Sequence, residues 1–488
     1  MQESIIFRNE SFAGGPDSIQ ELKRNLGSMS TSLPMARQMS RSSMDLPWEI
    51  VISTPNETWA ELDCYFYNEH VCSSMPDLQT LIRKAKGRTR KIRTWSTCRH
   101  TVECPDDGNW IVENAQFLNN LTALSLGYLG ERLCTDTFKD DIMWGVIYRL
   151  ESIQLSLPFA ERLFERIDSI NDSVALPNLR ALDCYYDERT FQSPQNGAMQ
   201  RELDFALDLD GFRGPPDYVM FPELRSFRIG GVNISHQHAA LGQVTICEEQ
   251  LRILLSGMPK LQKFVCSGIV VRQRPEFMTS SDCFLFYNHL LEEIDLSRST
   301  WHHLPTLPLG LKTLNLMLTT CRPSLSPPAG IMKFPRLEYI NFRGHVFTPG
   351  LKNSDLLNLF RVCNGPTITT LIFSDLPGVD FAARYGGQSL TRIITMHCPN
   401  LEHLDISYNA TVDDDSLAEL CELKNLRYLD LSGTFITYYG LSMLFCNGKV
   451  NLESLILEAS LIDSTAVRDQ FSVNVELENN LSRSLQEF

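Results

Sequence analysis

The residues that could do chemistry are few, and the densest local group of them is Cys98-Arg-His100-Thr-Val-Glu-Cys104. Two thiols and an imidazole in so short a stretch are potential zinc ligands. A structural zinc site needs about four ligands, usually with its cysteines paired at short spacing. Cys64, Cys72 and Cys134 could supply a fourth ligand, but none has a suitable local spacing. We therefore expect no metal, and a zinc site at this group is the alternative.

Motifs for other chemistries are missing from the sequence. It contains no nucleophile elbow, no HExxH pair and no kinase signature. The glycine pairs Gly14-Gly15 and Gly386-Gly387 lack the strand-then-helix frame that a phosphate-binding loop requires. We therefore predict a protein that is not an enzyme and needs no cofactor.

A basic segment from Arg83 to Arg93 stands out in a chain whose formal net charge is −15. It could serve nuclear import or bind an anionic partner. Alternatively, it is a solvated surface before the first repeat that includes a strand from Lys91 to Trp95. The acidic charge of the whole chain argues against nucleic acid as the main partner, because phosphate binding needs a basic surface.

The element that must position any functional surface is a repeated pattern, Leu-x-x-Leu-x-Leu with conservative replacements. Twelve copies run from Leu121 to Leu452, at the mean spacing of about 30 residues that leucine-rich repeats show. Each such unit is a strand plus a return segment, and it can bury its apolar side only against its neighbours. Capping residues such as Asp414-Asp415-Ser416 precede apolar stripes, which predicts helical returns. The predicted fold class is α/β, a leucine-rich-repeat solenoid with parallel strands on the concave face and helices on the convex face.

The remaining segments are assigned from composition. Residues 1–45 are rich in serine and methionine and are predicted to be a disordered arm. Residues 46–118 form an N-terminal region, residues 119–470 the solenoid, and residues 471–488 a C-terminal tail. The start of the chain lacks the features of a secretory signal, and no apolar run is long enough to span a membrane. We therefore expect a cytoplasmic or nuclear protein with reduced cysteines and no membrane contact.

The last third of the chain carries a more specific pattern. Cys398-Pro-Asn-Leu401 opens one unit, Val412-Asp-Asp-Asp-Ser-Leu417 enters its helix, and Cys421 and Cys446 close helices. This pattern resembles the cysteine-containing repeats of the F-box/leucine-rich-repeat proteins, the substrate receptors of cullin-type ubiquitin ligases. In that family an F-box precedes the repeats. The segment from Leu46 to Val51 resembles the opening of its first helix, although Thr54-Pro55-Asn56 interrupts the helix at once.

The resemblance implies a substrate-recognition subunit. Its adaptor-binding residues, which would contact a Skp-type adaptor and through it a cullin scaffold, would be Leu46, Pro47, Glu49 and Ile50. The alternative is that this segment caps the first repeat, because terminal repeats must shield their core. The protein would then be a leucine-rich-repeat scaffold or regulator with no link to ubiquitin ligation. Under either hypothesis its partner is a target protein.

The outward strand positions form the predicted binding surface. Alternate strand residues point away from the core, and here they combine acidic and amide groups with tyrosines, which are enriched at binding hot spots. The predicted partner-binding residues on the concave face are Asp183, Tyr185, Asp295, Asn315, Tyr339, Asn341, Asp405, Tyr428 and Asp430. Charge complementarity predicts a basic or mixed-charge protein segment as the ligand. Alternatively, these aspartates are ordinary solvated groups, and the insertions within 179–224 and 261–291 form the binding surface.

Overall fold

A computed structural model describes just under three fifths of the chain, in two compact units. The units are Met1–Asn171 with Leu176–Tyr186, and Asp172–Ala175 with Asp187–Phe488. The described residues are 4–8, 48–53, 61–66, 83, 89–96, 109–128, 141–170, 176–187, 201–203, 220–232, 244–272, 288–303, 307–322, 334–344, 346–347, 352–363, 365–384, 387–446, 450–458, 462 and 475–476.

The first unit is a sheet that changes from antiparallel to parallel. Its strands are β1 (Ser4–Arg8), β2 (Trp48–Ser53), β3 (Glu61–Phe66), β4 (Lys91–Ser96), β5 (Ala123–Tyr128), β6 (Ser152–Ser156) and β7 (Ala181–Asp187). Strands β1, β2 and β3 pair antiparallel, and every later neighbour from β3 to β7 pairs parallel. The helices are α1 (Asn109–Asn114), α2 (Asp141–Ile147) and α3 (Leu157–Ile170), with a 3-10 turn at Ala115–Phe117. The parallel ladder therefore begins before the predicted boundary at residue 119.

The segment that resembled an F-box helix is a strand, so that helix prediction is wrong. Within β2, Glu49 is paired with Tyr65 and Ile50 with Cys64 of β3. The β-branched residues Ile50, Val51 and Ile52 favour an extended backbone, and Pro55 prevents helix continuation. Leu46 and Pro47 lie outside the described residues. The antiparallel strands instead suit the capping alternative, since they precede the first parallel neighbour.

Two further sequence predictions at the N-terminus have different outcomes. Strand β1 lies inside residues 1–45, so the disordered-arm prediction fails for Ser4–Arg8, and the rest of that arm lies outside the described residues. The strand expected within the basic segment is confirmed as β4. Its Ile92 is buried and pairs with Leu124 of β5, which makes β4 an additional repeat strand.

The second unit contains a long parallel sheet with one strand for each leucine pattern. Its strands pair in chain order: β9 (Ser226–Val232), β11 (Lys263–Ser267), β13 (Glu293–Asp295), β15 (Thr313–Asn315), β17 (Tyr339–Asn341), β19 (Thr370–Ile372), β20 (His403–Asp405), β21 (Tyr428–Asp430), β22 (Ser454–Ile456) and β23 (Val475–Glu476). In all twelve predicted units, across both compact units, the strand begins two residues after the first leucine.

The return segments of the second unit are of two kinds. Helical returns are confirmed at α5 (Asn353–Val362), α6 (Leu390–His397), α7 (Asp414–Leu420) and α8 (Tyr438–Cys446), and α4 (Glu248–Ser256) lies in an earlier repeat. A second parallel sheet also runs through the returns, formed by β8 (Arg201–Leu203), β10 (Val244–Cys247), β12 (Val270–Arg272), β14 (Thr300–His303), β16 (Thr320–Arg322) and β18 (Val346–Phe347). Strands β10 and β18 precede α4 and α5 in their returns, whereas no helix is described after β12, β14 or β16 in theirs. The expectation of helices throughout is therefore wrong for this stretch. Leu291 and Leu311 are about 20 residues apart, at the short end of the repeat range, and leave little room for a helix.

The core is built from the leucine positions of every repeat. Leu401, Leu404 and Ile406 are fully buried, as are their counterparts Leu426, Leu429 and Leu431 in the next repeat. Phenylalanines replace leucine in several units and stack across strands: the ring centroids of Phe342 and Phe373 lie 5.6 Å apart. Because each leucine contacts the equivalent residues on both neighbouring strands, burial of one repeat depends on the next.

Candidate protein-binding surface

The outward strand residues of the second unit form a continuous column, which we call the middle column. It contains, in register, Arg228, Val265, Asp295, Asn315, Asn341, Ile372, Asp405, Asp430 and Ile456. Inward neighbours such as Leu404 are buried, whereas Asp405 is partly exposed. The alternation places the acidic and amide groups of neighbouring repeats side by side on one face of the sheet.

The predicted binding residues are divided between the two units. Seven of them lie on β13, β15, β17, β20 and β21 of the second unit, and Asp183 and Tyr185 lie on β7 of the first. The prediction that Tyr185 is a surface residue is wrong, because only 1% of it is exposed. Its register partner Ser156 on β6 is also buried, so this position of the ladder is covered.

Asp183 belongs to a polar ladder across the first unit. Ser125 Oγ donates to Gln154 Oε1 at 2.9 Å, and Gln154 Nε2 donates to Asp183 Oδ2 at 3.1 Å. The three residues occupy equivalent positions on β5, β6 and β7. Asp183 is therefore held by its neighbours and is part of the fold.

The acidic and amide residues of the middle column share one structural role. In each of them the side-chain Oδ1 accepts a hydrogen bond from the backbone N–H two residues later. The pairs are Asp295 with Ser297, Asn315 with Met317, Asn341 with Arg343, Asp405 with Ser407, and Asp430 with Ser432, at 2.9 to 3.1 Å. Aspartate and asparagine are the residues that form such turns. The turn explains why aspartate and asparagine recur in the middle column, whether or not this surface binds a partner.

Aromatic rings flank the acidic part of this face. His403 and Tyr428 are adjacent in register on β20 and β21, and their rings stack with centroids 3.8 Å apart and planes inclined by 25°. Burial lowers the pKa of His403, and the nearby Asp405 carboxylate opposes this shift only in part. Tyr339 lies on β17, and its hydroxyl accepts a hydrogen bond from Asn341 Nδ2 at 3.4 Å. His403 was missed as a site residue, although it occupies the same repeat position as Tyr339 and Tyr428.

The carboxylates of Asp405 and Asp430 are register partners on neighbouring strands, and their charges repel. Burial, and then the carboxylate of Asp405, raises the pKa of Asp430 to about 6, although hydrogen bonds from Ser432 and the charge of Arg343 oppose the shift. A cationic group placed between the two carboxylates would relieve this repulsion.

Asp430→Asn should stabilise the protein near neutral pH. The asparagine oxygen can still accept from the Ser432 N–H, while the repulsion with Asp405 is lost. Because the folded-state pKa is raised, the wild type takes up a proton on folding between about pH 6 and pH 4, and its stability rises as the pH falls through that range. We expect the variant to be about 1 kcal/mol more stable than the wild type at about pH 7, and this advantage to disappear at about pH 5. Urea unfolding of both proteins at both pH values measures this difference in unfolding free energy. Asp295→Asn, at the same position of another repeat, is the control, because its register neighbours Val265 and Asn315 carry no carboxylate and the substitution relieves no charge repulsion between them.

The other candidate groups give no further site among the residues that the structure describes. Cys98, His100 and Cys104 lie outside that part of the chain, and within it no group of three or more metal-ligating side chains comes together. Burial raises the pKa of Cys363 to about 12 and that of Cys398 still further, so neither thiol is a ready nucleophile. Among the described helices, none is long and apolar enough to cross a bilayer.

One parallel strand for each leucine pattern, with helices or short strands as returns, defines a leucine-rich-repeat solenoid. No family model matches the chain, and no curated protein matches it either. Among solved structures, it is similar to an internalin (inlF) from Listeria monocytogenes, at 11% sequence identity and a TM-score of 0.32 over 82% of this chain and 88% of the internalin chain. The strand register described above, rather than this likeness, carries the assignment.

Proposed function

We propose that this protein is a non-catalytic protein-interaction module that binds a target through the outward sheet face of its second unit. The observation that carries the proposal is the strand register, which sets the stacked His403 and Tyr428 rings beside the Asp405 and Asp430 carboxylates. Rigid aromatic rings next to partly desolvated charges are typical of binding hot spots. A partner with basic residues would complement this surface.

The location that fits this proposal is the cytoplasm or the nucleus. The free cysteines among the described residues, Cys184, Cys247, Cys266, Cys363, Cys398 and Cys421, are all buried. Reduced thiols persist in these compartments, whereas exported proteins tend to pair them.

Removing the charge of both carboxylates should weaken target binding. In Asp405→Asn/Asp430→Asn, each asparagine keeps the turn acceptor, so the fold is retained while the attraction for a basic partner is lost. We expect about tenfold weaker binding, a change of about 1.4 kcal/mol. The immobilised full-length chain would be used to capture partners from a lysate, with the bound proteins quantified by mass spectrometry. Asp295→Asn is the matched control, and a double variant that retains the full set of partners would contradict the proposal.

A second candidate is a substrate receptor of a cullin-type ubiquitin ligase. Two cysteines of the resemblance, Cys398 and Cys421, follow the last residue of α6 and α7, and the third, Cys446, is the last residue of α8. Against it, Glu49 and Ile50, two of the proposed adaptor-binding residues, lie in a strand and not in an F-box helix. Co-purification of the full-length chain with a Skp-type adaptor would support this candidate. Its failure would leave the scaffold or regulator with no ligase link.

A further inference from the structure

Four exposed aromatic residues follow β20 and β21 in the chain, and we call them the aromatic rim. They are Tyr408, Phe435, Tyr438 and Tyr439, with exposed fractions of 47%, 59%, 37% and 67%. Within the described ranges they are four of the nine large hydrophobic residues that are exposed. Large exposed apolar side chains grouped in this way mark a candidate interaction site.

Contacts between neighbouring repeats hold the rim together. A Cβ at Gly433 would lie 2.6 Å from Tyr408 Cδ1, so the tyrosine ring rests against this glycine. Two residues later, the Phe435 N–H donates to the Val412 carbonyl oxygen at 3.1 Å. Asp414 then binds the residue that precedes α8, since its carboxylate accepts from Thr437 N at 2.7 Å and from Thr437 Oγ1 at 2.6 Å. The turn that presents Phe435, Tyr438 and Tyr439 is therefore fixed at both ends.

Tyr408 has an unfavourable backbone for a bulky residue. Its φ is +57°, in the left-handed region, where non-glycine residues cost about 1–2 kcal/mol. Gly344 and Gly433 occupy the same position in other repeats, with φ of +58° and +61°, and so do Arg298, Leu318 and Asp375, with φ of +58°, +54° and +53°. The left-handed turn is therefore common to the repeats, and it does not require the ring of Tyr408.

The charges around the rim are mostly acidic. Glu458 lies in the next repeat, where its backbone carbonyl oxygen accepts a hydrogen bond at 2.8 Å from the N–H of Gly433, the residue against which the Tyr408 ring rests. Burial, followed by the carboxylates of Glu458 and Asp430, raises the pKa of Tyr408, while Arg343 opposes the shift. Asp415 is exposed at the start of α7, and the Asp413 carboxylate is already bound to Arg384 at 2.7 Å. Aromatic faces beside carboxylates complement a guanidinium group, which can stack on a ring and bind a carboxylate at the same time.

We propose that the aromatic rim docks a basic protein segment whose arginine side chains stack on Tyr408 and Phe435 and reach the carboxylate of Glu458. This inference rests on the proposed function, because the same partner would contact both the sheet face and the aromatic rim at the ends of the strands. We expect the rim to bind arginine in preference to lysine. Lysine has a compact, strongly hydrated charge and stacks less well.

The test is fluorescence anisotropy of labelled peptides with the full-length protein. The probe is a short fluorescein-labelled peptide in which arginine alternates with leucine and glycine, and two further peptides carry lysine or glutamate in place of arginine. We expect the arginine peptide to bind, the lysine peptide to bind several-fold more weakly, and the glutamate peptide not to bind. Phe435→Ser/Tyr439→Ser should weaken the arginine peptide about tenfold. The matched control is Tyr148→Ser, which removes an exposed tyrosine of the first unit and should change binding less than twofold.

A second variant separates binding from folding. Tyr408→Gly relieves the left-handed backbone while removing the ring, so its melting temperature should stay within about 3 °C of the wild type while peptide binding falls about tenfold. Equal binding of the arginine peptide to wild type and both rim variants would overturn the inference, as would equal affinity for the lysine peptide.

The two proposals fail differently. If Asp405→Asn/Asp430→Asn loses a captured partner that both rim variants retain, the sheet face is supported and the rim inference is overturned. If the rim variants lose the peptide and the captured partner while the double asparagine variant keeps both, the rim is supported and the proposed sheet-face site is wrong.

Discussion

Leu404→Ala should lower the free energy of unfolding by about 2–5 kcal/mol, the usual cost of removing a buried leucine side chain. Leu404 is fully buried in β20 and pairs in register with Leu371 and Leu429 on the two neighbouring strands. The cavity would therefore open in the stack between three repeats, where inward residues depend on each other for burial. Urea unfolding, followed by far-ultraviolet circular dichroism, measures the change.

The control for this prediction is a leucine of the same unit that is not in the core. Leu290 is 52% exposed in the turn before β13, so Leu290→Ala should change the unfolding free energy by no more than about 0.5 kcal/mol. A Leu404→Ala protein as stable as Leu290→Ala would show that Leu404 is not an inward residue. The assignment of the repeat register would then be wrong.

Gly365→Ala should lower the free energy of unfolding by about 3 kcal/mol, the upper part of the usual range for overpacking. Gly365 is buried at the start of the 3-10 turn Gly365–Thr367, and a Cβ there would overlap the carbonyl oxygen of His397. That carbonyl ends α6 in the next repeat, and backbone atoms cannot rotate away as a side chain can. The substitution therefore forces two neighbouring repeats apart.

Gly310→Ala provides a close comparison for this substitution. A Cβ at Gly310 also faces a carbonyl oxygen of a neighbouring repeat, that of His289, but at 3.5 Å, an ordinary van der Waals distance. We expect a change within about 0.5 kcal/mol for this variant. Equal thermal unfolding curves for Gly365→Ala and Gly310→Ala would contradict the close approach of the two repeats at His397.

The repeat strands could be predicted from the sequence because burial alone determines them. Leu401, Leu404 and Ile406 stand at spacings that only a strand inside a stack of equivalent strands can bury together. The helices α5 to α8 were predictable for a related reason: each has a polar start followed by an apolar stripe. These features are local, and a short window of sequence contains them.

The features that could not be predicted depend on contacts outside the repeat pattern. The sequence of Trp48–Ser53 resembles the opening of an F-box helix, but its pairing with β3 makes it a strand. Tyr185 occupies an outward position by alternation, yet it is covered where β7 pairs with β6. The short strands of the second sheet carry no leucine pattern of their own. The aromatic rim was missed because its residues lie in turns, where the repeat pattern says nothing about exposure.

At the turns of the middle column, the charge of the sheet face can change while the hydrogen bond that forms the turn is kept. Each turn needs only one acceptor oxygen, which aspartate and asparagine supply equally, and both residues already occur there, as Asp295 and Asn315. A single exchange between the two changes the local charge by one unit and keeps the turn, and it affects stability mainly where the register neighbour is also a carboxylate, as at Asp405 and Asp430. The charge of this sheet face can therefore change in small steps along the array.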